Sequence, residues 1–325
     1  MLPRALLLSA VVIWGWTFVA TKVLLAEVGP LEILALRLAI GLPFLGIVLL
    51  VKRVPLRFTR ADARPLLVGG AVLTAHFLIQ IAGLETTTAS NTAWIVAASP
   101  LALAALSFVF LRERIGRGGT AGIAVATAGI VLLVSRGRLS DLGWLRSTGD
   151  WLVLVSAHTW AVYTVATRDL ARRRDPLAVT FGVLLVAAAS TGILFAASAD
   201  LASVRALSPR GIAAALYLGI PGLALGQWFW QEGVARLGAA RAGLYLYLEP
   251  LATVALAVPL LGEPFGAPVV LGGGLVLAGV YVGQRGRAPA PARDARGSHI
   301  ARRTPASPGN GACRSEHHGW PRSPC

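Results

Sequence analysis

Glu249 stands beside Pro250 in an apolar run, far from either end of it. An ionisable side chain in that setting is costly and by default marks function. It could bind a cationic or zwitterionic ligand, or carry a proton; the structural alternative is a carboxyl satisfied by a neighbouring helix. His76 and Gln80 lie one helical turn apart in another apolar run, with Gly83 on the same stripe. Gln227 and Gln231 form a similar pair, with Trp228 and Trp230 between them. Polar groups so spaced face a bundle interior, not lipid; there they line a cavity or bond helix to helix. His158 is a comparable candidate, with packing as its plainer role. Trp14, Trp94 and Trp160 sit inside apolar runs, not at their ends. Trp14, Phe18 and Thr21 share one helix face, either a pocket wall or packing. Lys22 and Arg168 approach helix ends, where they can snorkel. From these, Glu249, His76, Gln80, Gln227, Trp14 and Trp160 are expected to line one binding cavity, with Glu249 as its ion or charge partner.

These residues need elements that fit a bilayer. Of 325 residues, 55% are hydrophobic and 14% charged, against about 25% charged in soluble domains. Mean hydropathy is +0.68. Apolar residues fall in blocks near the roughly 20 needed to cross a membrane as helix, and helices apolar on every face need lipid or a very large core. Ten spans are expected, near 5–26, 31–51, 65–84, 90–111, 118–135, 150–168, 177–197, 210–231, 240–261 and 267–284. The first is too long for a signal-peptide core and reads as a retained span.

The runs form two copies of one unit. At an offset of 150 residues Gly83 falls on Gly233, Pro100-Leu101-Ala102 on Pro250-Leu251-Ala252, Glu113 on Glu263, Gly122 on Gly272 and Gly129 on Gly279. At an offset of 146 the stretch Trp14–Lys22 falls on Trp160–Arg168. A unit with an odd number of spans, repeated once, enters the membrane in opposite orientations, an architecture that recurs among secondary transporters. The expectation is therefore an all-α integral membrane protein of ten transmembrane helices in two inverted five-helix repeats, 1–137 and 148–285. Residues 286–325 read as a disordered basic cytoplasmic tail.

The net charge of +15 does not suggest nucleic acid. Arg and Lys gather in alternate loops, at 52–64, 112–117 and 172–174, and in the tail, which by the positive-inside rule puts both termini in the cytoplasm. Both cysteines, Cys313 and Cys325, lie in the tail, so the body holds no disulfide framework or thiolate metal site. The sequence has no H-E-x-x-H, P-loop or G-x-S-x-G motif, and the spans hold no clustered aspartates. No catalytic group, metal or cofactor is expected.

Other paired positions have mainly structural readings. Glu113 and Glu263 each precede the last helix of a unit, as an anchor for that helix's start or a gate latch on each membrane face. Pro100 and Pro250 are expected to kink spans 4 and 9 near their middles. Gly122 with Gly129, and Gly272 with Gly279, offer close-packing faces, for the bundle or for a homodimer.

The motif Trp14-Gly-Trp-Thr-Phe-Val-Ala-Thr-Lys22, the stretch from Ala98-Ser-Pro100-Leu to Leu111-Arg-Glu113, and that from Leu248-Glu-Pro250-Leu to Leu261-Gly-Glu263 with Gly272 and Gly279 resemble the EamA-type transporters of the drug/metabolite transporter superfamily. The resemblance covers about 5–285. It implies a ten-helix inverted-repeat carrier moving small metabolites, often outward, across the cytoplasmic membrane. The expected partners are a small-molecule substrate such as an amino acid or related amphipathic compound, a coupled proton, and the lipid bilayer. An intramembrane enzyme on a lipid-linked substrate, or a non-transporting scaffold or sensor, remains open at this stage.

Overall fold

The structure, a computed structural model, describes residues 2–113, 116–134, 147–198, 200–261 and 267–285. The stretch 135–146 between the two expected repeats, Glu263 and the expected tail lie outside the described residues. Those described are helical, with no strands. The first half holds α1 (Leu2–Leu25), α2 (Pro30–Lys52), α3 (Arg60–Thr86), α4 (Ala89–Val96), α5 (Ser99–Leu111) and α6 (Arg117–Val134). The second holds α7 (Thr148–Arg173), α8 (Pro176–Ser198), the short α9 (Leu201–Arg205), α10 (Pro209–Tyr217), α11 (Gly226–Leu237), α12 (Ala239–Leu246), α13 (Glu249–Leu261) and α14 (Ala267–Arg285). Among the described residues six helical segments are long and apolar enough to cross a membrane: α1, α2, α3, Ala89–Leu111, Pro176–Ala197 and Pro209–Leu237; two shorter apolar helices lie within α6 and α14. The protein is a multi-pass membrane protein.

Local chemistry sets the ends. Ser147 accepts the N–H of Asp150 while Asp150 accepts that of Ser147, a reciprocal capping box. Thr88 and Ser208 cap α4 and α10 by accepting from Asn91 and Gly211. α11 and α12 are separated by Gly238 alone, at φ +87°, a region essentially reserved for glycine.

At the expected proline kinks the helix is interrupted by a turn, with Ala97, Ala98 and Tyr247 still in the right-handed helical region. Backbone turns at Ala97–Ala98 and Tyr247–Leu248 divide each segment in two. Pro100 and Pro250 are the second residues of α5 and α13, where a missing N–H costs nothing because the first-turn donors have no intrahelical partner. Ser99 and Glu249 are thus the first residues of helices within otherwise apolar segments. A third irregularity lies between α10 and α11, where Leu218–Leu225 is π-helical around Pro221. Its carbonyl at Gly222 accepts the indole N–H of Trp14 at 2.9 Å.

α6 lies along α14, α3 along α7, and α1 against α11 and α13. The glycines make these contacts backbone-close. A Cβ on Gly122 would stand 2.5 Å from the Gly279 carbonyl oxygen, and one on Gly129 2.7 Å from that of Gly272. The glycine faces are therefore filled within the chain. Likewise a Cβ on Gly83 would meet Val153 at 2.8 Å, and one on Gly233 would meet Leu7 at 2.3 Å.

Candidate functional site

Glu249, His76, Gln80, Gln227, Trp14 and Trp160 all line one buried cavity of about 30 Å³, space for a water or two. Its walls come from α1, α2, α3, α7 and α11, and from the breaks between α4 and α5 and between α12 and α13. Larger grooves between α2 and α8 and between α13 and α14 are nearly all apolar. They lack the convergent polar groups that orient a small ligand, so chemistry, not size, singles out the cavity.

Aromatic rings build one side. Trp14 and Trp160 meet edge to face, centroids 4.9 Å apart, and Trp230 packs on both at 5.5 and 5.6 Å. The favoured geometry of such pairs adds to their burial. Gly226 makes room for Trp14: a Cβ there would lie 2.5 Å from the indole nitrogen. Trp160 also touches His76, with ring centroids 5.2 Å apart.

Glu249 is 4% exposed and its turn is pinned to α1. The hydroxyl of Thr253 donates to the carbonyls of Gly15 and Glu249, both at 3.0 Å, and the Trp16 indole donates to Ala252 O at 3.1 Å. At the opposite wall His76 Nδ1 lies 2.9 Å from Ser156 O; a carbonyl can only accept, so Nδ1 carries the proton. Gln80 makes a long contact, 3.5 Å, to Ser156 Oγ. Both roles expected for this pair, cavity lining and helix-to-helix bonding, coexist.

A hydrogen-bond relay orients Gln227. Gln231 Nε2 donates to the Tyr163 hydroxyl at 2.8 Å and to Thr167 Oγ1 at 3.0 Å; Tyr163 in turn donates to Gln227 Oε1 at 3.1 Å. The amide NH₂ of Gln227 is left over. Gln231 thus supports the site from behind. His158 is neither packed nor in the cavity: it is exposed and bonds its own helix at Leu154 O, 2.8 Å away.

Sequence reasoning passed over Arg37. It lies in α2, is 3% exposed, lines the cavity and sets its guanidinium 4.3 Å from the centroid of Phe77. The signal was available, since a charged residue inside an apolar span is the same mark that singled out Glu249.

Two polar clusters lie at loop ends of the helices. Among the described residues the bonds of Glu113 lead away from α6, the helix that follows it. Its carboxylate accepts the N–H of Ala240 at 3.1 Å, capping α12 from the other half, and pairs with Arg168. At the α1–α2 turn Glu27 accepts both the N–H and the hydroxyl of Ser208, at 2.8 and 2.7 Å. The backbone N–H first, then the hydroxyl, holds the Glu27 carboxyl below the usual carboxylate range.

The family model described as the EamA-like transporter family matches residues 3–135 and again 147–283. A probable terminal-alkyne amino-acid exporter of Streptantibioticus cattleyicolor is 30% identical over 88% of this chain and 97% of its own. A probable amino-acid metabolite efflux pump of Salmonella typhimurium is 27% identical over 85% and 93%. An uncharacterized transporter of Archaeoglobus fulgidus is 27% identical over 85% and 95%. One solved crystal structure, at 21% identity, shares the fold with a TM-score of 0.70 over 86% of this chain and 96% of that one.

Proposed function

The chain belongs to the EamA-like transporter family, a transporter and not an enzyme, carrying a small metabolite across a membrane, and from that premise we propose that it is a secondary exporter of an amino acid or related amphipathic compound. The observation that carries this reading is the cavity. Trp14, Arg37, His76 and Trp160 lie well inside their helices, Gln227 and Glu249 lie at the starts of α11 and α13, and all converge on one buried space beside two interrupted helices. Interrupted helices whose ends face a common site are how such carriers hold charged substrates at membrane depth. The names of two relatives, an amino-acid exporter and an amino-acid metabolite efflux pump, support the substrate class and the outward direction.

The mechanism we propose is alternating access by two inverted repeats, 1–137 and 148–285. Its support is that contacts occur in exchanged pairs. Gly122 meets Gly279 while Gly129 meets Gly272; Gly83 meets Val153 while Gly233 meets Leu7; Trp14 meets its own counterpart, Trp160. A two-fold relation between the halves produces that pattern. The charge bias of the loops favours the cytoplasmic membrane with both termini inside. Glu249 is the proposed binding partner for substrate charge or a coupled proton.

The test compares the medium of cells making the wild type with that of cells making Glu249→Ala at equal membrane abundance. We expect one metabolite enriched outside by the wild type alone. Equal enrichment by both removes Glu249 from the site. No enrichment over empty cells, with no flux in liposomes, defeats the export reading. Unchanged rate and pH dependence in Glu249→Gln excludes the proton role.

A further inference from the structure

The cavity's unsatisfied groups are of one kind. Arg37 Nε, Trp160 Nε1, Gln227 Nε2 and Ser99 Oγ are all buried and lack a hydrogen-bond partner. Three can only donate, and the serine hydroxyl can do so. They come from α2, α7, α11 and the start of α5, so no single helix's periodicity explains them. Buried donors without acceptors are rare and costly, and a cluster of them calls for an explanation. Arg37 sharpens the point. Its guanidinium is always charged, yet it takes part in none of the ion pairs among the described residues. Among the residues lining the cavity the acidic one is Glu249, which makes no ion pair with it.

We propose that these donors seat the carboxylate of the substrate, with Arg37 as its counter-ion and specificity-determining residue. This rests on the cavity being the substrate site, and it narrows the cargo to compounds carrying a carboxylate. The planar fork of a guanidinium matches a carboxylate with two parallel hydrogen bonds, and the Gln227 amide, fixed by Tyr163, adds a donor. Glu249 remains for the ammonium group, so the cavity reads both charges of a zwitterion while Trp14 and Trp160 wall the apolar part.

The experiment uses the purified full-length protein. The probes are apolar and aromatic L-amino acids, their amides, and the matching amines without the carboxylate. Binding is read from the shift in melting temperature, with chloride varied separately, and counterflow in liposomes is read in parallel. We expect the acids to bind at least about thirtyfold more tightly than amides or amines, the scale of losing one partner of a buried charge pair. Arg37→Gln abolishes that preference; Arg37→Lys keeps part of it, having charge without the fork. Without ligand, Arg37→Gln melts no lower than the wild type, because it removes an unpaired buried charge; a lower melting point would make Arg37 a packing residue and overturn the proposal. So would equal binding of acids and amides, no binding of any acid, a preference surviving in Arg37→Gln, or chloride alone reproducing the effect. Carboxylate-dependent binding without flux leaves the seat standing and defeats the transport reading. Flux indifferent to the carboxylate does the reverse.

Discussion

The relay Gln231–Tyr163–Gln227 ties a side chain at the cavity to two behind it. Tyr163→Phe keeps the ring and removes the donor that holds the Gln227 amide. A net hydrogen bond is worth about 1 kcal/mol, so apparent substrate affinity should fall roughly five- to tenfold, read as KM in liposomes; unchanged KM means the relay does not orient Gln227. At this scale much was legible. Glu249, His76, Gln80 and Gln227 are polar residues in apolar runs, and the cost of placing them there points toward the cavity that they line, though His158 carries the same mark and faces outward. Arg37 obeys the same rule. What sequence could not give is the partner: that Glu113 caps α12 across the molecule depends on where Gly238 ends up.

Gly238 shows how an element boundary depends on one backbone conformation. It joins α11 to α12 with φ +87°, and a Cβ there would stand 3.1 Å from Glu113 Oε1. Gly238→Ala should cost about 1–3 kcal/mol, lowering the melting temperature in detergent; an unchanged melt would show that the turn relaxes freely. Six of the expected spans coincide with helical segments long and apolar enough to cross a membrane; α3 starts ahead of its expected span, where the capping residue Thr59 sits, and α7 runs on past its expected end to Arg173. The breaks were only half legible. Pro100 and Pro250 marked the places, but a proline in a first turn and one inside a kinked helix look alike until the chain around them is placed. The π-helical stretch carries the same mark in Pro221, but nothing local foretells that its Gly222 carbonyl is held by Trp14 from another helix.

For the whole molecule, Glu113 with Arg168 and Glu27 with Ser208 tie helices together at opposite ends of the bundle, if the chain crosses as its loop charges suggest. The Glu27 tie has a pH sign. A carboxyl held below its ordinary pKa of about 4.3 adds stability above that value and loses it as pH falls through the lower folded one. Under alternating access, loosening either tie should open the cavity to its own side. In a Ser99→Cys chain with Cys313 and Cys325 changed to Ser, Glu113→Gln should speed labelling by an impermeant maleimide from the cytoplasmic side, and Glu27→Gln from the other. Faster labelling from one side in both variants would mean that the ties are not opposed gates.

The seam between α6 and α14 bears on ancestry. Gly122 touches Gly279 and Gly129 touches Gly272, so each half offers the other the same surface it receives. An interface of that kind needs no covalent link between its sides. Under the proposed inverted repeat, a gene of half this length, inserted in both orientations, would already have encoded these paired glycine contacts. Fusion would then have added only a fixed ratio and a fixed orientation, and freed the two copies to diverge until one carried Ser99 where the other carries Glu249.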